Sequence, residues 1–154
     1  MRTKYYKSHF LMAEWSEKTM IKLITGKKGT GKTKIIIDQI NDAMAENRGD
    51  VVCIEKGDTL RRSISYKVRW VSTEDFSIES YDAFYGFVAG MCAGNYDIVN
   101  IFVDGILKIG GADFEEFGKL LGKIDKITGK DTTVTFTVSA DNSELPESVK
   151  VYVG

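Results

Sequence analysis

Gly26, then Lys27-Lys28-Gly29-Thr30, then Gly31-Lys32-Thr33 has the spacing of a phosphate-binding P-loop, set between an apolar run from Met20 to Thr25 and a helical pattern. Triphosphate chemistry needs such a pattern, because glycines let consecutive backbone N–H groups converge on phosphate oxygens with no Cβ atoms in the way. Lys32 would reach the β- and γ-phosphates as a mobile point charge, and the Thr33 hydroxyl would take one Mg²⁺ coordination position. The phosphate-binding set expected from the motif is Gly26, Lys28, Gly29, Thr30, Gly31, Lys32, Thr33 and Lys34, with Lys32 also catalytic. The dipole of the following helix would add to the attraction. A glycine-rich turn without ligand is the alternative.

A Mg²⁺ ion in such a site needs a carboxylate as well, and Ile101-Phe102-Val103-Asp104 supplies the apolar-strand-then-Asp signal of a Walker B motif. Asp104 is therefore the second expected metal ligand. The competing reading of Asp104-Gly105 is a strand-end turn. Hydrolysis also requires a group to orient or deprotonate water, and the position after Asp104, which many motor-type ATPases fill with Glu, is Gly105. Glu55 is the expected substitute, since it ends the apolar run Val51-Val52-Cys53-Ile54 where a parallel sheet delivers side chains to a ligand crevice. Asp58 is the reserve, and a solvated loop carboxylate is the plain reading of Glu55.

The elements that must position these groups alternate from Met20 onward, which predicts an α/β fold with a mainly parallel sheet between helical layers. Ile36, Ile37, Ile40, Ala43 and Met44 form one helical face, with Gly49 as its C-terminal stop. Strands are expected at Val51 to Glu55, Ile98 to Val103, Thr132 to Val138 and Val149 to Val153. The period-2 alternation of Ile64, Tyr66, Val68 and Trp70 predicts a half-exposed strand at the sheet edge. Ser80 is placed to N-cap a helix with Phe84, Phe87, Val88 and Met91 on its buried face, Tyr81 and Tyr85 flanking it, and Gly94-Asn95 at its end. Asp113 and Glu116 have capping-box spacing ahead of the stripe Phe114, Phe117, Leu120, Leu121, Ile124 and Ile127.

At 154 residues the chain is one domain's worth, and its formal charge of −1 gives no global basic field to hold nucleic acid or an anionic membrane. Residues 20–154 are expected to form a single domain, with residues 1–19 as a dispensable leader and Met20 as a possible initiator. An amphipathic arm docking through Phe10, Leu11, Met12 and Trp15 is the alternative. No apolar run approaches a membrane span or a secretory signal, so a soluble cytoplasmic protein is expected. Cys53 and Cys92 sit in separate apolar stretches and read as reduced core residues. A single histidine, His9, leaves no imidazole set for a zinc site or a triad.

The order of P-loop, strand ending in Glu55, strand ending in Asp104 without a following Glu, and strand ending in Ser139 resembles the RecA-like division of P-loop ATPases. More closely, Met20 to Thr33, Asp82-Ala83-Phe84-Tyr85-Gly86-Phe87, Phe102-Val103-Asp104-Gly105 and Val138-Ser139-Ala140-Asp141 resemble small single-domain ATP-binding proteins of clostridia, some labelled twitching-motility ATPases by analogy. The resemblance implies a RecA-like core of strand order 5-1-4-3-2 in a three-layer sandwich, with one extra edge strand. It also implies ATP and Mg²⁺ as ligands, Ser139 as a γ-phosphate sensor between the P-loop and Asp104 strands, and slow hydrolysis in a switch or small assembly ATPase. Such sites are usually completed by a basic residue from a neighbouring subunit or protein partner. Arg61, Arg62 and Arg69 qualify by sign alone, and with Lys67 they read as a solvated strand edge.

Three other functions compete. A small-molecule kinase would place its acceptor near Tyr81, Phe84, Tyr85 and Phe87, but no Arg-bearing lid is evident. A nucleotide-gated module without turnover is favoured by Gly105. A GTPase would use Ser139-Ala140 near the base, yet the Asn-Lys-x-Asp reader is missing.

Overall fold

The computed structural model describes residues 19–154; the expectations for His9 and the Phe10–Trp15 arm lie outside that range. β1 (Ile21–Gly26), α1 (Lys32–Glu46), β2 (Asp50–Glu55), β3 (Arg69–Ser72), α2 (Tyr81–Gly94) and β4 (Ile98–Asp104) follow in alternation. α3 (Ile106–Gly110), α4 (Phe114–Thr128), β5 (Thr133–Ser139) and α5 (Glu147–Lys150) complete the chain, with short 3₁₀ turns at Arg61–Ser63, Thr73–Phe76 and Asn142–Glu144.

The strands form one sheet in the order β1-β5-β4-β2-β3, parallel at every pairing. Parallel sheets must be covered on both faces because their crossovers run over them, and side-chain alternation splits the core accordingly. Val51, Cys53 and Phe102 meet Ile36, Ile40 and Ala43 of α1 on one face, with Leu60 and Val68. Val52, Ile54, Ile101, Val103, Val134 and Phe136 face the other way, against Phe84 and Val88 of α2, Ile106 of α3, Phe117 and Leu121 of α4, and Val149 of α5. The Phe136 ring lies 5.9 Å from Phe117 in an edge-on arrangement and 6.2 Å from Phe84, which fixes α2 and α4 over the sheet.

β5 lies between β1 and β4, as expected for the Ser139 strand. One expected strand is absent, which leaves β1 at an edge of the sheet instead of inside the expected order 5-1-4-3-2, and another begins late. Val149 to Val153 is instead the end of α5 and the turn after it: the Pro146 carbonyl accepts from both Val149 and Lys150 amides, which starts a helical turn, and only Val153 bridges β1, at Leu23. The period-2 segment from Ile64 enters the sheet only at Arg69. The Ser65 hydroxyl accepts from the Lys67 amide and its carbonyl from the Val68 amide, so a local turn captures donors that a strand would need. β3 is nevertheless the sheet edge.

The helix ends differ in smaller ways. α1 stops at Asn47, whose left-handed conformation (φ 52°) returns its amide to Met44, so Gly49 lies beyond the cap. Ser80 caps α2 through the Ala83 amide. Tyr81, expected on the flank, is buried, and its hydroxyl donates to the Gly111 carbonyl. Asp113 caps α4 by accepting from Glu115 and Glu116 amides, but the Glu116 carboxylate pairs with Lys119 rather than closing a box. The reciprocal box occurs at Asp141 and Glu144. Cys53 is buried and Cys92 half-buried, both free thiols, with burial raising both pKa values.

Candidate functional site

α1 leaves β1 toward one face, whereas the connection after β5 packs its Leu145 and Val149 into the core of the other face. Adjacent strands whose connections diverge in this way open a crevice at their carboxyl ends. Here the crevice is a cleft of about 500 Å³.

Its floor is the loop between β1 and α1. The Lys27 carbonyl is the hub, accepting from the Thr30 amide at 3.2 Å, the Thr30 hydroxyl at 2.7 Å and the Lys32 ammonium at 2.9 Å. A side chain at Gly26 would put its Cβ 2.6 Å from the Thr30 hydroxyl, so this close turn excludes any other residue. Gly29 and Gly31 hold φ of 87° and 91°, the left-handed conformation that lets the chain wind into α1. Thr25 ties the loop's entry to Asn142 at 2.6 Å, and the Gly26 amide donates to the Ala140 carbonyl.

Lys32 is buried, unusual for a lysine unless its charge has a use. Burial lowers the affinity of its amine for a proton. The Asp104 charge opposes that effect, and the Lys108 charge adds to it. The first residues of α1 then separate: Thr33 lines the cleft, while Lys34 points away and pairs with Asp38 at 3.1 Å.

Strand alternation puts Asp104 (two after Phe102) and Glu55 (two after Cys53) on the α1 face, and Thr137, between Phe136 and Val138, beside them. Asp104 Oδ1 accepts from the Thr137 hydroxyl at 2.6 Å, and that hydroxyl accepts from the Gly105 amide at 2.7 Å. Thr137, only 2% exposed, fixes the carboxylate and the turn after it together. The reading of the sequence missed Thr137, although an alternating polar residue in a buried strand, two positions before Ser139, was the available signal. Gly105, at φ 73°, turns the chain directly into α3, so the Asp-Gly pair marks both a turn and the cleft wall.

Glu55 pairs in register with Asp104 across β2 and β4, yet it does not line the cleft. It is 2% exposed. Its two oxygens accept from the Thr59 amide at 3.1 Å, the Leu60 amide at 2.9 Å and the Trp70 indole at 2.8 Å. All three bonds anchor the strand's exit loop and the edge strand, and burial keeps the carboxylate out of the cleft lining.

The structure thus brings Lys28, Gly29, Gly31, Lys32 and Thr33 together with Asp104 and Ser139 around one cavity, and adds Gly105, Leu107, Lys108 and Thr137. Ser139 is exposed and pairs in register with Gly26. Gly26 and Thr30 shape the loop from outside the lining, while Lys34 and Glu55 are not part of it. The edge cations Arg61, Arg62, Lys67 and Arg69 are exposed and do not reach it; Arg61 stacks 4.7 Å above the Trp70 ring. A larger groove, about 1220 Å³, follows the β3 edge but contains no residue of the glycine-rich loop.

Three lysines and one carboxylate make the cleft attractive to a polyanion that can also share a cation with Asp104. Among the described residues no three His, Cys, Asp or Glu side chains cluster as a metal site. A divalent ion here would take its remaining ligands from the bound molecule and water, as Mg²⁺ at phosphate sites does. No helix among the described residues is long and apolar enough to cross a membrane.

The fold and cleft define the class as an α/β protein with an all-parallel sheet and a cationic crevice at its strand ends. No protein-family model matches the chain, and no curated protein sequence matches it significantly.

Proposed function

We propose that this chain is a P-loop protein with a RecA-like core that binds ATP with Mg²⁺ and hydrolyses it slowly, serving as a switch or small assembly ATPase. The observation that carries the reading is the convergence of Lys32, Thr33, Asp104 and Ser139, from three separate strand ends, on one cleft.

In this reading the loop amides from Lys28 to Thr33 and the Lys32 ammonium hold the phosphates. Lys32 exchanges its bond to the Lys27 carbonyl for phosphate oxygens, regaining by charge what burial costs it. The Thr33 hydroxyl and the Asp104 oxygen not held by Thr137 fit a Mg²⁺ ion, which would neutralise phosphate charge. Ser139 faces the terminal phosphate from β5. Slow turnover follows from two features: Gly105 stands where a water-activating acid would be, and Glu55 is spent on protein donors.

The same two features support a second reading, a nucleotide-gated module that binds without turnover. The kinase reading loses its aromatic acceptor pocket, since Tyr81 and Phe84 are buried in the core. Calorimetric titration with Mg²⁺-ATP, with phosphate release followed in parallel, separates the readings. Binding with release that disappears in Lys32→Ala supports the ATPase, binding without release supports the module, and no binding overturns both.

A further inference from the structure

Gly105 and Lys108 together suggest how this cleft differs from one built around an acidic water activator. Gly105 leaves β4 at φ 73° and caps α3, with the Lys108 amide returning to the Gly105 carbonyl at 2.9 Å. The Lys108 side chain lies back along that turn: a Cβ added at Gly105 would be 3.4 Å from its Cδ and 3.8 Å from its Cε. The space beside Asp104 is thus lined by the stem of a lysine, whose amine is four residues along the chain from that aspartate.

Lys108 lines the same cleft as Lys32, Thr33 and Ser139, and its side-chain amine makes no hydrogen bond or ion pair among the described residues. Two like charges at one small cavity oppose each other until an anion lies between them. The two lysines approach from different sides, Lys32 from the loop after β1 and Lys108 from the turn after β4.

We propose that Lys108 is a ligand of the terminal phosphate, supplied by the same chain, so that the site needs no basic residue from a second subunit. The proposal rests on the nucleotide reading of this cleft and deepens it. Lys32 bridges phosphates from the loop side, and Lys108 contacts only the group that distinguishes a triphosphate from a diphosphate. The cleft thereby becomes a sensor of the γ-phosphate at the level of a single chain.

The test is calorimetric titration of Mg²⁺ with a non-hydrolysable ATP analogue and, separately, with ADP, into wild type, Lys108→Ala, Lys108→Arg, Lys32→Ala and the exposed α4 variant Lys126→Ala, with thermal melting to verify folding. Lys108→Ala should lose about tenfold in affinity for the ATP analogue and keep its ADP affinity, with Lys108→Arg recovering most of the loss. Lys126→Ala should match wild type, excluding a general charge effect. Equal losses for both nucleotides, or no loss, would overturn the role of Lys108. Loss in Lys32→Ala without loss in Lys108→Ala leaves the nucleotide site standing and removes only this assignment. Wild type that binds neither nucleotide removes both.

Discussion

Glu55 and Asp104 are neighbours in register, one at the end of β2 and the other at the end of β4, on the same face of the sheet. Asp104 is half-exposed, is held at one oxygen by Thr137, and opens onto the cleft. Glu55 is sealed, with both oxygens taken by the Thr59 and Leu60 amides and the Trp70 indole. Position at a strand's carboxyl end therefore indicates where an acid sits, and its remaining hydrogen-bonding capacity indicates whether it can act. The neighbouring connection decides which outcome arises. After β4 the chain turns at once through Gly105 into α3 and leaves Asp104 uncovered, whereas after β2 residues 56–60 fold back over Glu55 and donate to it.

The contrast is sharpest in stability. Glu55→Ala would leave three donors without an acceptor at a buried site, at about 1 kcal/mol or more each, and should lower unfolding free energy by roughly 3 kcal/mol in urea titrations. A loss below about 1 kcal/mol would mean that water replaces the carboxylate and that Glu55 is not structural.

Lys32→Ala should show the opposite profile. Removing the phosphate-facing charge should weaken Mg²⁺-ATP binding by roughly 100-fold, about 2.7 kcal/mol. The melting temperature should not fall, because burial already disfavours the ammonium in the folded chain. A large drop in melting temperature would make Lys32 a structural residue.

Thr137 links the open acid to the fold. Thr137→Val keeps the shape but removes the donor to Asp104 and the acceptor for the Gly105 amide, so Mg²⁺-dependent affinity should fall about fivefold, or about 1 kcal/mol. Thr137→Ser, which keeps the hydroxyl, should restore it. If Val and Ser variants behave alike, the hydroxyl does not position Asp104.

The open region was more legible in the sequence than the sealed one. A glycine pattern is local and contiguous, so the turn from Gly26 to Thr33 between β1 and α1 could be read directly, and the apolar run ending in Asp104 marked a strand that shares its cleft. Four of the five strands were placed from apolar runs and β3 in part from alternation, and β5 takes its expected position between β1 and β4. The misses arose where local hydrogen bonding outweighed pattern. Ser65 captures the Lys67 and Val68 amides ahead of the edge strand, and Pro146 starts a helical turn where β-branched residues suggested a strand. Glu55 could not be resolved, because its partners Thr59, Leu60 and Trp70 become its neighbours only through folding. Lys34 resembled a loop cation, yet the turn of α1 carries it toward Asp38. Lys108 gave no signal of its own, because nothing in one sequence says that a lysine four residues after an aspartate will share its cleft.

The most direct measurement is the affinity for ATP with and without Mg²⁺ in wild type, Asp104→Asn and Glu55→Gln. Mg²⁺ should tighten binding equally in wild type and Glu55→Gln and have no such effect in Asp104→Asn. A Mg²⁺ effect that survives in Asp104→Asn and vanishes in Glu55→Gln would contradict the assignment of the open acid to the site and the sealed one to the scaffold.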